Sequence, residues 1–418
     1  MFKFIHCADL HLDSPLKGLQ LEDDAPLEEI RTATRKALEN LVDVSIEESV
    51  KFIVIAGDIY DGDWQDYSTG LFFNSMMARL RDHGIKVFII KGNHDAASQI
   101  SKRLVLPDNV VEFRTDKPET YKIEDLHVAI HGWSYKEREV WSNMAIQYPD
   151  ALPGYFNIGL LHTSLEGQAG HERYAPCKRS ELIEKGYDYW ALGHIHKRQV
   201  VSEKPYIIFP GNIQGRHIRE TGEKGCTLVT VDGRDVTVEH RNLDVLRWYL
   251  CQVDLSDVTT DVDFTAKVSD VISETIENEP HPVAVRVVLH GRTDLHSRLL
   301  QERERYVSEV KNAAQISGGN QIWIEKVKFK TEPPYEENWQ GEHKDAISEM
   351  INAIGLDELE DDFIDSYIQD IKAIQNRLSS YIKQEDAIRI EGKGDIDSIL
   401  NDAKELLLGM VSKGGSAR

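Results

Sequence analysis

The sequence predicts an α/β protein: an α/β sandwich of helices and sheets over residues 1–240, a small α/β domain at 245–330 and a helical segment at 339–412. Three observations predict it. Short apolar runs alternate with helical stretches through the first 240 residues, as strands buried beneath helices require. Near residue 245 the pattern changes to a βαβαβ module of modest size. Pro333-Pro334 then breaks the chain ahead of an acidic, periodic segment.

The strands follow in order as Phe2–Cys7, Phe52–Ala56, Val87–Ile90, Val128–His131, Asn157–Leu161, Tyr189–Leu192 and Tyr206–Phe209. Cys226–Val231 and Val236–His240 close the region as a hairpin around Asp232-Gly233, a turn dipeptide. Between the first two strands Leu27–Val50 reads as a helix, because Ile30, Leu38, Leu41, Val42 and Ile46 share one face. In the second domain Trp248–Leu255, Pro282–His290 and Gln321–Phe329 read as strands, with helices over roughly Phe264–Ile276 and Leu295–Ala313. After the double proline, Ile347, Met350, Ile351 and Ile354 fall at helical spacing. That stripe suits either a solvated helical appendage or an arm that docks a partner helix.

The length of 418 residues exceeds one compact core at about 100–200 residues per domain. With 41% hydrophobic and 29% charged residues, collagen-like and wholly disordered chains are excluded. No apolar run approaches the roughly 20 residues that span a bilayer, and the N-terminus enters a strand rather than a signal-peptide core, so a cytoplasmic protein away from membranes is expected. Cys7, Cys177, Cys226 and Cys251 are far apart and form no C-x-x-C pair, which fits isolated thiols in a reducing compartment.

The net charge of −22 is uneven. Residues 1–240 hold 28 Lys+Arg against 37 Asp+Glu, residues 241–330 hold 12 against 14, and residues 331–418 hold 9 against 20. Half of the excess lies in the last fifth of the chain, and carboxylates that bind divalent metal would be neutralised. A polyanionic substrate is therefore not excluded, although any grip on it is local or shared with a partner.

Five motifs stand where apolar strands end: Asp9-x-His11, Gly57-Asp58, Gly92-Asn93-His94-Asp95, His162 and Gly193-His194-x-His196. Residues just past the carboxyl ends of strands in such a sheet converge on one crevice. Their oxygen and imidazole donors suit Mn²⁺, Fe²⁺, Zn²⁺ or Ni²⁺, and no thiolate points to structural zinc. Each motif alone is commonplace: Gly-Asp after a strand is usually a turn, and a lone histidine usually a satisfied polar residue. All five together, in order and each behind a strand, point to a two-metal site.

In this pattern the sequence resembles the calcineurin-like metallophosphoesterases, defined by D-x-H, G-D, G-N-H-[ED], H and G-H-x-H. Within that family it is similar to the SbcD-type nucleases, and most to the YhaO-like DNA repair exonuclease branch. The supporting residues are Phe4-Ile5-His6-Cys7-Ala8-Asp9-Leu10-His11-Leu12-Asp13, Gly57-Asp58-Ile59-Tyr60-Asp61, and Phe209-Pro210-Gly211-Asn212-Ile213-Gln214-Gly215-Arg216 leading to Glu220 and Lys224-Gly225. The resemblance implies an αββα metallophosphoesterase sandwich, with residues 245–330 as a capping domain. It implies one ion on Asp9, His11, Asp58 and His196, and a second on Asp58, Asn93, His162 and His194, with Asp58 bridging. The ions would be divalent, Mn²⁺ first, with Mg²⁺, Fe²⁺ and Zn²⁺ as alternatives.

His94 would then be the general acid or transition-state stabiliser. Asp95 would orient its ring or cap the loop. Where some relatives carry a second histidine, this chain has Asp61, which leaves the balance of exonuclease and endonuclease action open. Arg216, Arg219 and Lys224 follow the last motif, where a basic side chain can meet a phosphate or form a surface ion pair; Arg216 and Lys224 are the substrate-binding candidates. The resemblance implies a Mn²⁺-dependent DNA exonuclease/endonuclease in an SbcCD-like repair or defence complex. Its partners would be a second copy of the chain and an SbcC-like or YhaN-like coiled-coil ATPase, docked on residues 339–412. The core motifs also fit a phosphodiesterase or phosphatase acting on nucleotides or other small phosphoesters. A DNA-end scaffold for the ATPase is a third possibility.

Overall fold

A computed structural model describes residues 1–14, 16, 27–61, 67–97, 105–165 and 174–333. The expected helical segment 339–412 lies outside these residues. The chain divides into two units, Met1–Tyr249 with Glu279–Ala284, and Leu250–Asn278 with the chain from Val285 onward.

The first unit begins with β1 (Phe2–Cys7), α1 (Leu27–Glu47), β2 (Phe52–Ile55), α2 (Tyr67–Asp82), β3 (Lys86–Ile89), α3 (Asn93–Ala97) and β4 (Val110–Glu112). It continues with β5 (Glu119–Ile123), β6 (Val128–Gly132), β7 (Phe156–His162), α4 (Arg179–Glu184) and β8 (Tyr189–Gly193). β9 (Gln199–Glu203), β10 (Tyr206–Phe209), β11 (Gly225–Asp232) and β12 (Asp235–Asn242) complete it. They form two six-stranded sheets, ordered β12-β11-β1-β2-β3-β4 and β5-β6-β7-β8-β10-β9. In the first, β1 to β4 are parallel and β11 returns antiparallel against β1. In the second, β6, β7, β8 and β10 are parallel between antiparallel edges.

The apolar runs are continuous because the central strands are covered on both faces. Alternate residues of the first sheet point two ways. Ile5, Ile53, Ile55 and Val87 pack under Leu38, Leu41 and Val42 of α1 and Phe73 and Met77 of α2. Phe4, Phe52, Val54 and Phe88 meet Ile130, Ile158, Leu160 and Tyr189 of the second sheet. The outer face of that sheet buries Leu161, Trp190 and Leu192 with Leu182 of α4. Helix, sheet, sheet and helix thus stack as the sequence predicts. One polar tie crosses between the sheets: the buried His6 ring lies 3.0 Å from the Tyr189 hydroxyl and 3.1 Å from the Leu192 carbonyl. Burial pushes its pKa down to about 3, against the Leu192 hydrogen bond, so the tie is neutral.

Every strand expected in this unit is present, and the hairpin turns at Gly233 with φ +63°. Three further strands, β4, β5 and β9, are all sheet edges. Their alternating, half-exposed residues produce no apolar run to read.

The second unit holds the sheet β13-β14-β15, formed by β13 (Arg247–Asp254), β14 (Val283–Arg292) and β15 (Ile322–Glu332). Its helices are α5 (Asp261–Thr275), α6 (His296–Gln301) and α7 (Arg303–Gly318). The single helix expected over Leu295–Ala313 is therefore two, parted at Glu302. Leu295, Leu299, Tyr306 and Val310 stay buried through the break, so the periodicity does not reveal it. The polar run Gln301–Arg305 has no apolar anchor there, and the Arg303 guanidinium lies 4.9 Å from the Phe329 ring instead. Arg286 and Glu325 form a buried bidentate pair linking β14 to β15. Asp261, in the first turn of α5, accepts from Arg298, Arg305 and the Tyr306 hydroxyl, binding all three helices together.

Candidate metal centre

The five motifs meet, and they come from both sheets: Asp9 and His11 follow β1, Asp58 follows β2, Asn93 and His94 open α3 after β3, His162 ends β7, and His194 and His196 follow β8. The β1–β2 pairing runs on past the strand ends. The Asp9 and His11 N–H groups donate to the Gly57 and Asp58 carbonyls, both at 3.0 Å, and Leu12 N–H donates to Ile59 at 2.9 Å. Asp9 and Asp58 are thereby carried forward side by side. The extension runs through left-handed backbone, with φ of +52° at Asp9, +42° at His11 and +54° at Asp58, and His194 after β8 also has positive φ, +104°. Asp and His tolerate this region better than most residues, and such outliers gather at working sites. The motif glycines answer a different need. A Cβ on Gly92 would collide with Asp58 Oδ1, and one on Gly193 would collide with the Ala56 carbonyl oxygen.

Ligand atoms of Asp9, His11 and His196 lie within 4.8 Å of one another, as do those of Asp9, Asp58 and His162 and those of His11, Asp58 and His94. Asp58 joins two of these groups and Asp9 two, so the groups form one centre. The protons of two rings are fixed by their partners. His162 Nδ1 is 2.9 Å from the Ala56 carbonyl, which can only accept, so Nδ1 carries the proton and Nε2 is a bare lone pair. That lone pair faces Asn93 Oδ1 at 2.8 Å and Asp58 Oδ2 at 3.5 Å, three acceptors around one space. His196 Nδ1 lies 2.6 Å from Glu220 Oε1, again acceptor only, which bares its Nε2 toward His11 Nε2 at 3.1 Å and Asp9 Oδ1 at 4.0 Å.

Burial, reinforced by the neighbouring Asp58 charge, pushes the Asp9 carboxyl well up, while burial pushes His11, His162 and His196 down toward the neutral imidazole. Inward-facing lone pairs and closely spaced buried carboxylates are a donor set that divalent metal ions satisfy. The residues fit the expected ions. His194 borders the set, its N–H donating to both Asp9 oxygens and its ring 5.2 Å from that of His162 and 4.5 Å from that of Tyr174.

His94 lies at the open side, its side chain 28% exposed where those of His11 and His162 are fully buried. Its Nδ1 is 2.9 Å from Asp61 Oδ1, and its N–H donates to Asp58. Burial lowers the His94 pKa, but the Asp61 hydrogen bond and the Asp58 and Asp61 charges outweigh it and raise the pKa. Of the two roles expected for Asp95, its contacts match the loop cap and not the orienting of His94. Asp61, not Asp95, holds the Nδ1 side of His94. The buried Asp95 carboxylate accepts N–H from Ile59, Tyr60 and Gly92 at 2.9–3.1 Å, which braces the two loops carrying Asp58 and Asn93.

A second correction concerns Lys224. It is only 7% exposed, and its Nζ donates to the His196 carbonyl at 3.4 Å, so the expected open cation is a buried contact within the protein. Arg216 does reach the centre, but its guanidinium is engaged by protein groups: Ser14 Oγ at 3.2 Å, Glu220 Oε1 at 3.6 Å and Asp61 Oδ2 at 3.7 Å. Ser14, Asp13 and Glu220 are supporting residues to which the sequence pattern assigns no role. Asp13, itself at φ +58°, is held by Arg35 of α1 and Thr69 of α2, which anchors the loop beyond His11.

The sequence pattern of the family described as Calcineurin-like phosphoesterase matches residues 2–198, and that described as Metallophosphoesterase YhaO, middle domain, matches residues 248–332. The chain is 38% identical over 292 residues to the metallophosphoesterase YhaO of Bacillus subtilis, spanning 69% of this chain and 71% of that one. It is 20% identical over 401 residues to the DNA double-strand break repair protein Mre11 of Sulfolobus acidocaldarius, spanning 92% and 100% of the two chains. The protein of the same name from Sulfurisphaera tokodaii is 23% identical over 334 residues, spanning 75% of this chain and 78% of the relative. Among the described residues no helix is long and apolar enough to cross a membrane.

Proposed function

The chain belongs to the calcineurin-like metallophosphoesterases, in the branch of YhaO, and from that premise we propose that it is a two-metal DNA nuclease, dependent on Mn²⁺. The observation that carries the chemistry is the cluster of bare imidazole lone pairs and buried carboxylates that share Asp9 and Asp58. Asp9, His11 and His196 would hold one ion, Asn93, His162 and His194 the other, with Asp58 between. Two divalent ions in such a site supply Lewis acidity toward a phosphodiester and neutralise the charge that develops on its oxygens. The protein's part is to keep the ligand lone pairs turned inward, through Ala56 and Glu220, and to place a proton donor beside them.

His94 is that donor: it is open to substrate, and Asp61 orients it and favours its protonated form, so it can protonate the departing ester oxygen. DNA as substrate is supported by the two relatives named for DNA double-strand break repair, together with the SbcD-like residues around the motifs. By the same resemblance residues 339–412, outside the described part, are proposed to dock a coiled-coil ATPase, and the chain to pair with a second copy.

The test compares wild type, His94→Ala and His162→Ala with Mn²⁺ on end-labelled single- and double-stranded DNA and on a chromogenic phosphodiester. Metal-dependent DNA cleavage lost in both variants is the expected result. Wild-type rates in His162→Ala would remove the two-metal centre. Rapid hydrolysis of the small ester with DNA untouched, even with the ATPase partner added, would move the substrate class to small phosphoesters.

A further inference from the structure

Two of the proposed ligand histidines are held differently. His162 leans on a backbone carbonyl, which no substitution removes, whereas His196 leans on a side chain, Glu220, from the loop before β11. Glu220 is 6% exposed and fully engaged. Its Oε2 accepts from Asn212 Nδ2 at 2.9 Å and from the Arg216 N–H at 2.7 Å, while Oε1 faces His196 Nδ1. Asn212 cannot turn to offer other atoms without losing its bond to the Gln214 carbonyl at 2.7 Å. Arg216 Nη2 also lies 3.3 Å from His196 Nδ1, but the carboxylate is closer and can only accept, so the ring proton belongs to it.

We propose that Glu220 is a positioning residue of the metal centre: it pins His196 as the Nδ1-protonated tautomer, so that Nε2 is a permanent lone pair for the ion shared with Asp9 and His11. A carboxylate behind a ligating imidazole sets ring orientation and raises basicity. Arg216 supplies the counter-charge, and because it also approaches Asp61 it ties the support of His196 to the support of His94. This rests on the metal-centre reading above and adds a residue outside the five motifs.

The arrangement makes an isostere more harmful than a truncation. In Glu220→Gln the amide oxygen belongs at the Oε2 position, where two N–H donors already point, which turns the NH₂ toward His196 Nδ1. That nitrogen must then accept, the proton moves to Nε2, and the ring can no longer ligate. In Glu220→Ala a water can replace the carboxylate and leave the tautomer free.

Isothermal titration of Mn²⁺ into the full-length chain tests this without relying on turnover, using wild type, Glu220→Gln, Glu220→Ala and, as control, the neighbouring exposed Glu223→Gln. The expected result is two Mn²⁺ sites in wild type and in the control. Glu220→Gln should lose about 10–100-fold in affinity at one site, with Glu220→Ala no worse. Wild-type affinity in Glu220→Gln alongside a damaged Glu220→Ala would mean that Glu220 only fills space, and would overturn the proposal. A wild-type chain that binds no Mn²⁺ would instead overturn the metal centre itself.

Discussion

Replacing Asp61 by Asn separates proton transfer from metal binding. The hydrogen bonds of Asp61 go to His94 and Ser14, neither of which is among the seven proposed ligands Asp9, His11, Asp58, Asn93, His162, His194 and His196. The substitution keeps the shape and removes one charge from the 2.9 Å contact with His94 Nδ1. A hydrogen bond to a charged group contributes about 1.5–3 kcal/mol. If that stabilises the protonated ring where the ester bond breaks, the loss corresponds to about 10- to 150-fold in rate. It should appear only where the leaving group needs a proton. Turnover of a phenyl phosphodiester is therefore expected to fall by that factor, while a p-nitrophenyl diester, whose leaving group departs unaided, falls less than about threefold. Mn²⁺ titration should match wild type. Equal losses for both esters would refute the assignment of His94 and Asp61 to proton transfer, and a loss confined to Mn²⁺ affinity would place Asp61 among the supports of the ions.

Other consequences follow from the same contacts. Asp13→Ala removes the carboxylate that Arg35 and Thr69 donate to and loosens the loop beyond His11, so it should cost about 2–3 kcal/mol of stability, read as a lower urea midpoint. Lys224→Met should leave the salt dependence of DNA binding unchanged, because its Nζ is turned to the His196 carbonyl; a phosphate-contacting lysine would reduce the log–log slope by about one. Mn²⁺ at a hundred times its Kd should stabilise the wild-type fold by about 2.7 kcal/mol per site, and EDTA should reverse it, with a smaller gain in His162→Ala. Thermal melts with and without chelator would show this.

The proposed ligands stand out in the sequence and the roles of the residues that support them do not, for a physical reason. A ligand must be a particular residue type at the end of a particular strand, so Asp9-x-His11 or Gly193-His194-x-His196 behind an apolar run carries both kinds of information at once. A support needs only a polar atom that arrives from anywhere. Glu220 lies 24 residues beyond His196, Asp61 lies 33 before His94, and Arg216 stands 202 residues from Ser14. The same difference separates Asp95 from Asp61: adjacency in sequence made Asp95 the natural partner of His94, whereas the turn after β3 directs its carboxylate to the amides of Ile59, Tyr60 and Gly92.

Burial misleads in a similar way at Lys224, since a cation after the last motif looks available until the loop folds over it. The left-handed backbone at Asp9, His11 and Asp58 is the least legible feature of all, yet it lets two parallel strands continue to hydrogen-bond where their side chains turn into the candidate centre. The strain at those residues persists because the ladder from β1 to β2 and the anchors at Asp13 and Asp95 over-determine it. Loosening either anchor should therefore weaken Mn²⁺ binding without touching a ligand.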